Sequence, residues 1–295
     1  MTLDQLIAAP ICFGGRTSED GWTPGLMIVL PLAAIAALYA VGALRLWGRV
    51  DRGRRARLRD NLLFAGGWAV LALALLSPLH PLGEHLFTAH MIEHELLMAV
   101  AAPLLALSRP LAALLWGLPL SWRKGLARAG HTALVATSWK FLSQPLSATL
   151  LHGAAIWLWH VPALFEAALA QGILHYLQHA SFLGSGLLFW WVLLPCSRPN
   201  PTYGVAVMHL FFTALHTGLL GLLLALAPRL WYPGNASAGE LWGLSPLEDQ
   251  QLAGLVMWVP AGLVYAGAAL VIAALWIRSS SGPVAQEGLH AFEHT

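Results

Sequence analysis

Two pairs of histidines have the strongest claim on chemistry in this chain. His90 and His94 lie in H-M-I-E-H-E-L-L-M, and His175 and His179 lie in H-Y-L-Q-H, both within apolar sequence. On a helix, residues four apart are neighbours on one face, about 6 Å from each other. Each pair therefore presents two imidazoles side by side, with Met98 one turn beyond His94. Imidazole suits copper, zinc, iron and nickel, and thioether sulfur adds a preference for Cu(I). A polar side chain in hydrocarbon is costly, turns inward as a rule and marks a functional pathway. The two pairs together predict a shared intramembrane metal site.

The elements that must position these residues follow from composition. The chain has 295 residues, 58% hydrophobic and only 10% charged, with a mean hydropathy of +0.65. Soluble domains carry about 25% charged residues, so the expected class is an all-α, polytopic membrane bundle. Spans of about 20 apolar residues are predicted over 24–46, 61–79, 86–107, 145–165, 172–195, 204–227 and 250–277. An external tail, 1–23, precedes this seven-helix domain of 24–277, and a cytoplasmic tail, 278–295, follows it. No positive region precedes the first apolar run, so that span is expected to be retained. The apolar patch Leu111–Leu118 is too short to span and is expected at the interface.

Orientation follows from the basic residues. Of the 16 Lys and Arg, all but Arg16 and Arg229 fall on the side that carries the C-terminus. Cytoplasmic loops are enriched in Lys and Arg, so the N-terminus is expected outside and the C-terminus inside, in a bacterial inner membrane. At about 1.5 Å per residue, His90, His94, His175, His179 and His160 then share the outer third of the bilayer. His152 falls roughly 12 Å deeper, His216 near mid-depth and His209 closer to the inside. His80 and His85 are placed in the external turn above the third span.

Ligating histidines are neutral, which burial favours. Glu93, Gln178 and Thr213 are candidate outer-shell acceptors that would fix imidazole tautomers. Met98, His152, His209 and His216 are secondary candidates, packing being an equal reading of the last two. His290 and His294, also four apart, fall in the polar tail and read as solvated.

Other classes lack support. No basic run interleaved with aromatics suggests nucleic-acid binding, and Cys12 and Cys196 form no C-x-x-C motif and are not expected to pair. No nucleophile–base set or phosphate-binding glycine loop is present, and H-E-L-L-M lacks the second histidine of a zincin helix. An enzyme is not expected.

Several segments resemble the CtaG-type cytochrome c oxidase assembly factors: H-M-I-E-H-E-L-L-M-A-V-A-A-P (90–103), W-H-V-P-A-L-F (159–165), H-Y-L-Q-H-A-S-F (175–182), G-L-L-F-W-W (186–191) and E-D-Q-Q-L-A-G-L-V-M-W-V-P (248–260). The resemblance runs in order across about 60–277. It implies an accessory protein that supplies or inserts copper during maturation of a haem–copper oxidase. Its partners would be an oxidase subunit or other copper chaperones. The positions carried over are His90, His94, His160, His175 and His179, and the cluster Asp249, Gln250 and Gln251 that opens the last span. Relatives often have Gln where this chain has Glu93, which leaves open whether that position is a charged ligand or an outer-shell group. Two alternatives remain beside the copper reading: a membrane haem b protein, since inward histidines on different helices suit bis-His ligation, and a metal-ion or proton transporter.

Overall fold

The computed structural model describes residues 17–18, 21–22, 25–47, 53–194, 202–233 and 243–280. Cys12, Cys196, His290 and His294, all considered above, lie outside them. Apart from a two-residue antiparallel pairing of β1 (Thr17–Ser18) with β2 (Gly21–Trp22), the described chain is helical.

Helix α1 (Leu26–Trp47) pairs with α2 (Arg54–Leu76), where Tyr39 stacks on Phe64 with ring centroids 3.5 Å apart and donates a hydrogen bond to Asn61. A short helix, α3 (Leu79–Gly83), follows Pro78, and α4 (Phe87–Glu95) then begins the third span. That span continues as a π-helical segment, Leu96–Ala101, and ends as α5 (Ala102–Leu107).

The π turn has a local cause and a local remedy. The amide of Ala102 bonds to the carbonyl of Leu97, a five-residue step. Continued to Met98, that step reaches Pro103, which has no N–H. The orphaned Met98 carbonyl instead accepts the indole N–H of Trp190 at 2.9 Å. Such π insertions recur next to functional sites, and this one starts two residues after His94.

The apolar patch expected at the interface forms α6 (Leu111–Gly117), lying against α1. Arg45 at the end of α1 donates to the terminal carbonyls Trp116 and Gly117 at 2.8 and 3.0 Å, and Arg123 sits 4.4 Å over the Trp116 ring. Helices α7 (Leu120–Gly130) and α8 (Ala133–Leu142) bury no residue.

The predicted fourth span is broken. Helix α9 (Pro145–Trp159) and α10 (Pro162–Ala170) meet at a 75° bend. Pro162 forbids helical backbone at the residue before it, so Val161 is extended and Pro162 opens the next helix. Helices α11 (Gly172–Leu193), α12 (Tyr203–Ala225) and α13 (Pro246–Ser280) complete the chain. α12 and α13 approach backbone to backbone: a Cβ on Gly221 would lie 2.7 Å from the Gly254 carbonyl, and one on Gly254 would lie 2.5 Å from the Ala225 nitrogen. Small residues that permit such contact are the usual basis of helix packing in lipid.

Among the described residues, α1, α2, the α4–α5 helix, α12 and α13 are long and apolar enough to cross a membrane, and the bent α9–α10 pair makes a sixth candidate. α11 has 22 residues, long enough by length, but its two histidines and Gln178 lower its apolarity. Leucines, valines and phenylalanines exposed along these helices form the surface a bilayer would cover.

Candidate metal centre

The inner face of the bundle gathers imidazoles from four elements: His80 on α3, His90 and His94 on α4, His160 at the end of α9, and His175 and His179 on α11. Ring centroids are 4.3 Å apart for His90 and His94, 4.4 Å for His175 and His179, and 5.3 Å for His94 and His179. His80 and His90 each lie 5.4 Å from His175, and His160 lies 6.3 Å from His94. All six are buried, His90 completely.

Each position follows from local backbone chemistry. No side chain of its own caps α4. Asp249, from the first turn of α13, does so across the bundle. Its carboxylate accepts the Phe87 and Thr88 amides at 2.7 and 3.0 Å and the Thr88 hydroxyl at 2.6 Å. An anion on a helix N-terminus satisfies orphan amides and favours the helix dipole. The helix that carries His90 and His94 is thereby docked on the last span.

His160 is placed by the break at Pro162. The Ile156 carbonyl, at the end of α9, accepts both the His160 amide at 3.3 Å and the ring Nδ1–H at 2.7 Å. The His160 carbonyl accepts the Tyr232 hydroxyl at 2.7 Å. A carbonyl only accepts, so Nδ1 carries the proton and the lone pair is on Nε2. That Nε2 stands 3.4 Å from Sδ of Met91.

His90 is oriented likewise: its Nδ1 donates to the Gly83 carbonyl at 3.2 Å. Gly83 packs tightly there: a Cβ would fall 3.1 Å from the His90 Cα, so the neighbouring backbone would have to give. Among the described residues, Nε2 of His90 and both ring nitrogens of His94 have no hydrogen-bond partner. Buried polar atoms are normally satisfied, so these three nitrogens fit a ligand. Phe182 packs 4.6 Å from the His94 ring and Phe165 packs 5.0 Å from that of His90, closing the site with aromatic walls.

Glu93 points into the cluster. Its Oε1 lies 2.6 Å from His80 Nδ1 and 3.9 Å from His179 Nδ1, and one ligand atom from each of the three residues lies within 4.8 Å of the others. Burial opposes charge on His80, but the Glu93 carboxylate outweighs it and holds the His80 pKa above its ordinary value. Glu84, at the end of α3, is pushed up to about 7 by burial and by Glu93, against the opposing pull of His80.

Other residues singled out from the sequence go elsewhere. Met91 and Met98 both pack in the apolar cluster with Phe182 and Ile156, and of the two it is the Met91 thioether that meets an imidazole, at His160. His152 bonds Ser185 and Tyr265, His209 bonds Thr149, and His216 accepts from the Trp157 indole. Gln250 accepts the Trp231 amide at 2.6 Å and donates to the Arg229 carbonyl, and Gln251 donates to the Ala227 carbonyl. These glutamines fix the loop that carries Tyr232. Thr213 donates to its own helix at His209, and the Gln178 side-chain amide is buried without a hydrogen-bond partner among the described residues.

Sequence reasoning places His80 in the turn before the third span, where α3 lies, and gives neither it nor Tyr232 a part in the site. The signal for His80 was present: Ser77-Pro78 starts a helix that ends at Gly83, where the missing Cβ lets α3 lie close on α4. Nothing local signals Tyr232, whose partner is 72 residues away.

The sequence matches the family described as cytochrome c oxidase caa3 assembly factor over residues 37–279. Among curated proteins it is 26% identical over 270 residues to uncharacterized proteins of Mycobacterium bovis and Mycobacterium tuberculosis, covering 87% of this chain and 39% of theirs. It is 23% identical over 281 residues to an uncharacterized protein of Mycobacterium leprae, covering 88% of this chain and 40% of that one. The chain thus spans about two fifths of the length of the curated relatives it matches. No solved structure matches. With its match over most of the membrane bundle and over every element that supplies an imidazole, the chain belongs to the cytochrome c oxidase caa3 assembly factor family.

Proposed function

We propose that this chain holds Cu(I) in its imidazole cluster and passes it to a haem–copper oxidase during assembly, as a non-catalytic accessory protein. The observation that carries the reading is a buried cluster in which His90 Nε2 and both nitrogens of His94 lack partners among the described residues. Copper is the cargo. Neutral imidazoles on separate helices suit it because each can be released in turn, and the oxidase-assembly family supplies a recipient.

Counting α11 as a span and α9–α10 as one, the bundle crosses a bacterial plasma membrane seven times. The basic loops place the N-terminus outside and the C-terminus inside. The cluster then lies in the outer leaflet, from which copper can move sideways to a membrane-embedded acceptor without passing through bulk water.

Metal and haem analysis of the purified protein, with and without His90→Ala/His94→Ala, tests this. The wild type is expected to bind Cu(I) with no Soret absorbance. The double variant is expected to insert normally and to lose more than about a hundredfold in copper affinity, since even outer-shell changes cost 10–100-fold. A strain carrying only the variant is expected to lose active oxidase. A Soret band without copper would support haem b instead, metal flux through proteoliposomes would support a transporter, and normal oxidase copper content in that strain would contradict the assignment.

A further inference from the structure

The cluster is not chemically uniform. On one side stand His80, His179 and the Glu93 carboxylate. On the other, His160 faces Met91, with His94 between the two groups. Carboxylate oxygen suits harder divalent ions, whereas thioether sulfur selects Cu(I).

The His160–Met91 contact has no account as a hydrogen bond. The Ile156 carbonyl takes the Nδ1 proton of His160, so in the neutral ring Nε2 is a lone pair aimed at a thioether, itself an acceptor. Making Nε2 a donor would put an imidazolium in this buried position, and among the described residues only His80 and His179 have a carboxylate within ion-pair distance. A buried charge without such a partner is costly. Two acceptors 3.4 Å apart do have an account as two ligands of one ion. With metal–ligand bonds of about 2.0 Å to nitrogen and about 2.3 Å to sulfur, as for zinc, that separation gives an N–metal–S angle of roughly 105°, close to tetrahedral.

The geometry points to a sulfur-containing Cu(I) subsite of Met91 Sδ, His160 Nε2 and His94, distinct from a carboxylate subsite of Glu93, His80 and His179. The inference rests on the copper reading above and adds to it the ligand that selects the oxidation state. Met91 is completely buried, on the same helix as His90 and His94 but one residue out of their four-residue step. No redox step is involved: Cu(I) enters and leaves as Cu(I), exchanging ligands.

The test is copper K-edge absorption and chelator competition on the purified full chain loaded with Cu(I), in wild type, Met91→Leu and Met98→Leu. Leucine replaces methionine with little change in volume, and Met98, buried at 3% exposure, controls for the loss of any buried thioether. A sulfur scatterer at about 2.3 Å is expected in wild type and Met98→Leu and absent in Met91→Leu. Cu(I) affinity should fall about ten- to a hundredfold only in Met91→Leu, with Zn(II) affinity there unchanged within about threefold. A nitrogen-only shell in copper-loaded wild type, or a sulfur shell that survives Met91→Leu, overturns the thioether subsite and leaves the copper reading standing. Wild type that takes up no Cu(I) overturns both.

Discussion

The bundle holds two groups of inward histidines that look alike in sequence and differ in chemistry; His152 and the His94 group are buried, His209 and His216 half-buried. Around His152, both ring nitrogens are engaged: Nδ1 with the Ser185 hydroxyl at 3.1 Å and Nε2 with the Tyr265 hydroxyl at 3.2 Å. His209 and His216 each have a partner on α9. Around His94, imidazoles face one another, and three ring nitrogens find no partner among the described residues. Burying His152 and burying His94 are both costly, but the first returns that cost as interhelical hydrogen bonds. The second leaves it outstanding, which marks a place built for something not supplied by the chain. Partner status, rather than burial or spacing, separates a packing histidine from a candidate ligand.

The comparison is broken most strongly by removing what docks the His94 group. Asp249→Ala strips the Phe87 and Thr88 amides of their acceptor. It should lower stability by about 1–3 kcal/mol and, by loosening α4, reduce copper affinity about tenfold. Thermal midpoints in detergent and chelator competition report the two effects. A variant with unchanged midpoint and affinity would mean that α4 is held without this cap.

Glu93→Gln sharpens the comparison within the cluster. It keeps the shape, removes the charge facing His80, and should weaken Zn(II) about tenfold while changing Cu(I) by less than about threefold. Equal losses for the two ions, measured by competition, would erase the distinction between subsites.

The smallest effect is expected at the partnered histidine. Membrane hydrogen bonds average about 0.6 kcal/mol, so His152→Ala, which severs two, should cost about 1–2 kcal/mol of stability and leave copper binding intact. A fold that survives unaltered by thermal melting would mean that Ser185 and Tyr265 find other partners.

Much of this difference was legible in the sequence, and the reasons for the rest are physical. The i,i+4 pairs at His90 and His175 identify the helix faces that meet, because helical periodicity is regular. Irregular backbone is not legible in that way. The bend at Pro162, which turns His160 inward, falls inside a stretch of uniform apolarity and reads as one span. His80 was placed in the connection where α3 lies, but its part in the cluster was missed because α3 has five residues, too few for a periodic pattern. Met91 and Met98 are equally good thioethers by spacing and pack in one apolar cluster, and only the contact with His160 shows that Met91 faces an imidazole. Asp249 and Tyr232 act across 161 and 72 residues of chain, separations on which one sequence carries no pattern.

The most direct test is copper per chain in His94→Ala and His152→Ala proteins, purified side by side and measured by elemental analysis. Depletion of copper in His94→Ala with full retention in His152→Ala is the predicted result. Equal retention in both, or loss in His152→Ala alone, would contradict the assignment of copper to the unpartnered imidazoles.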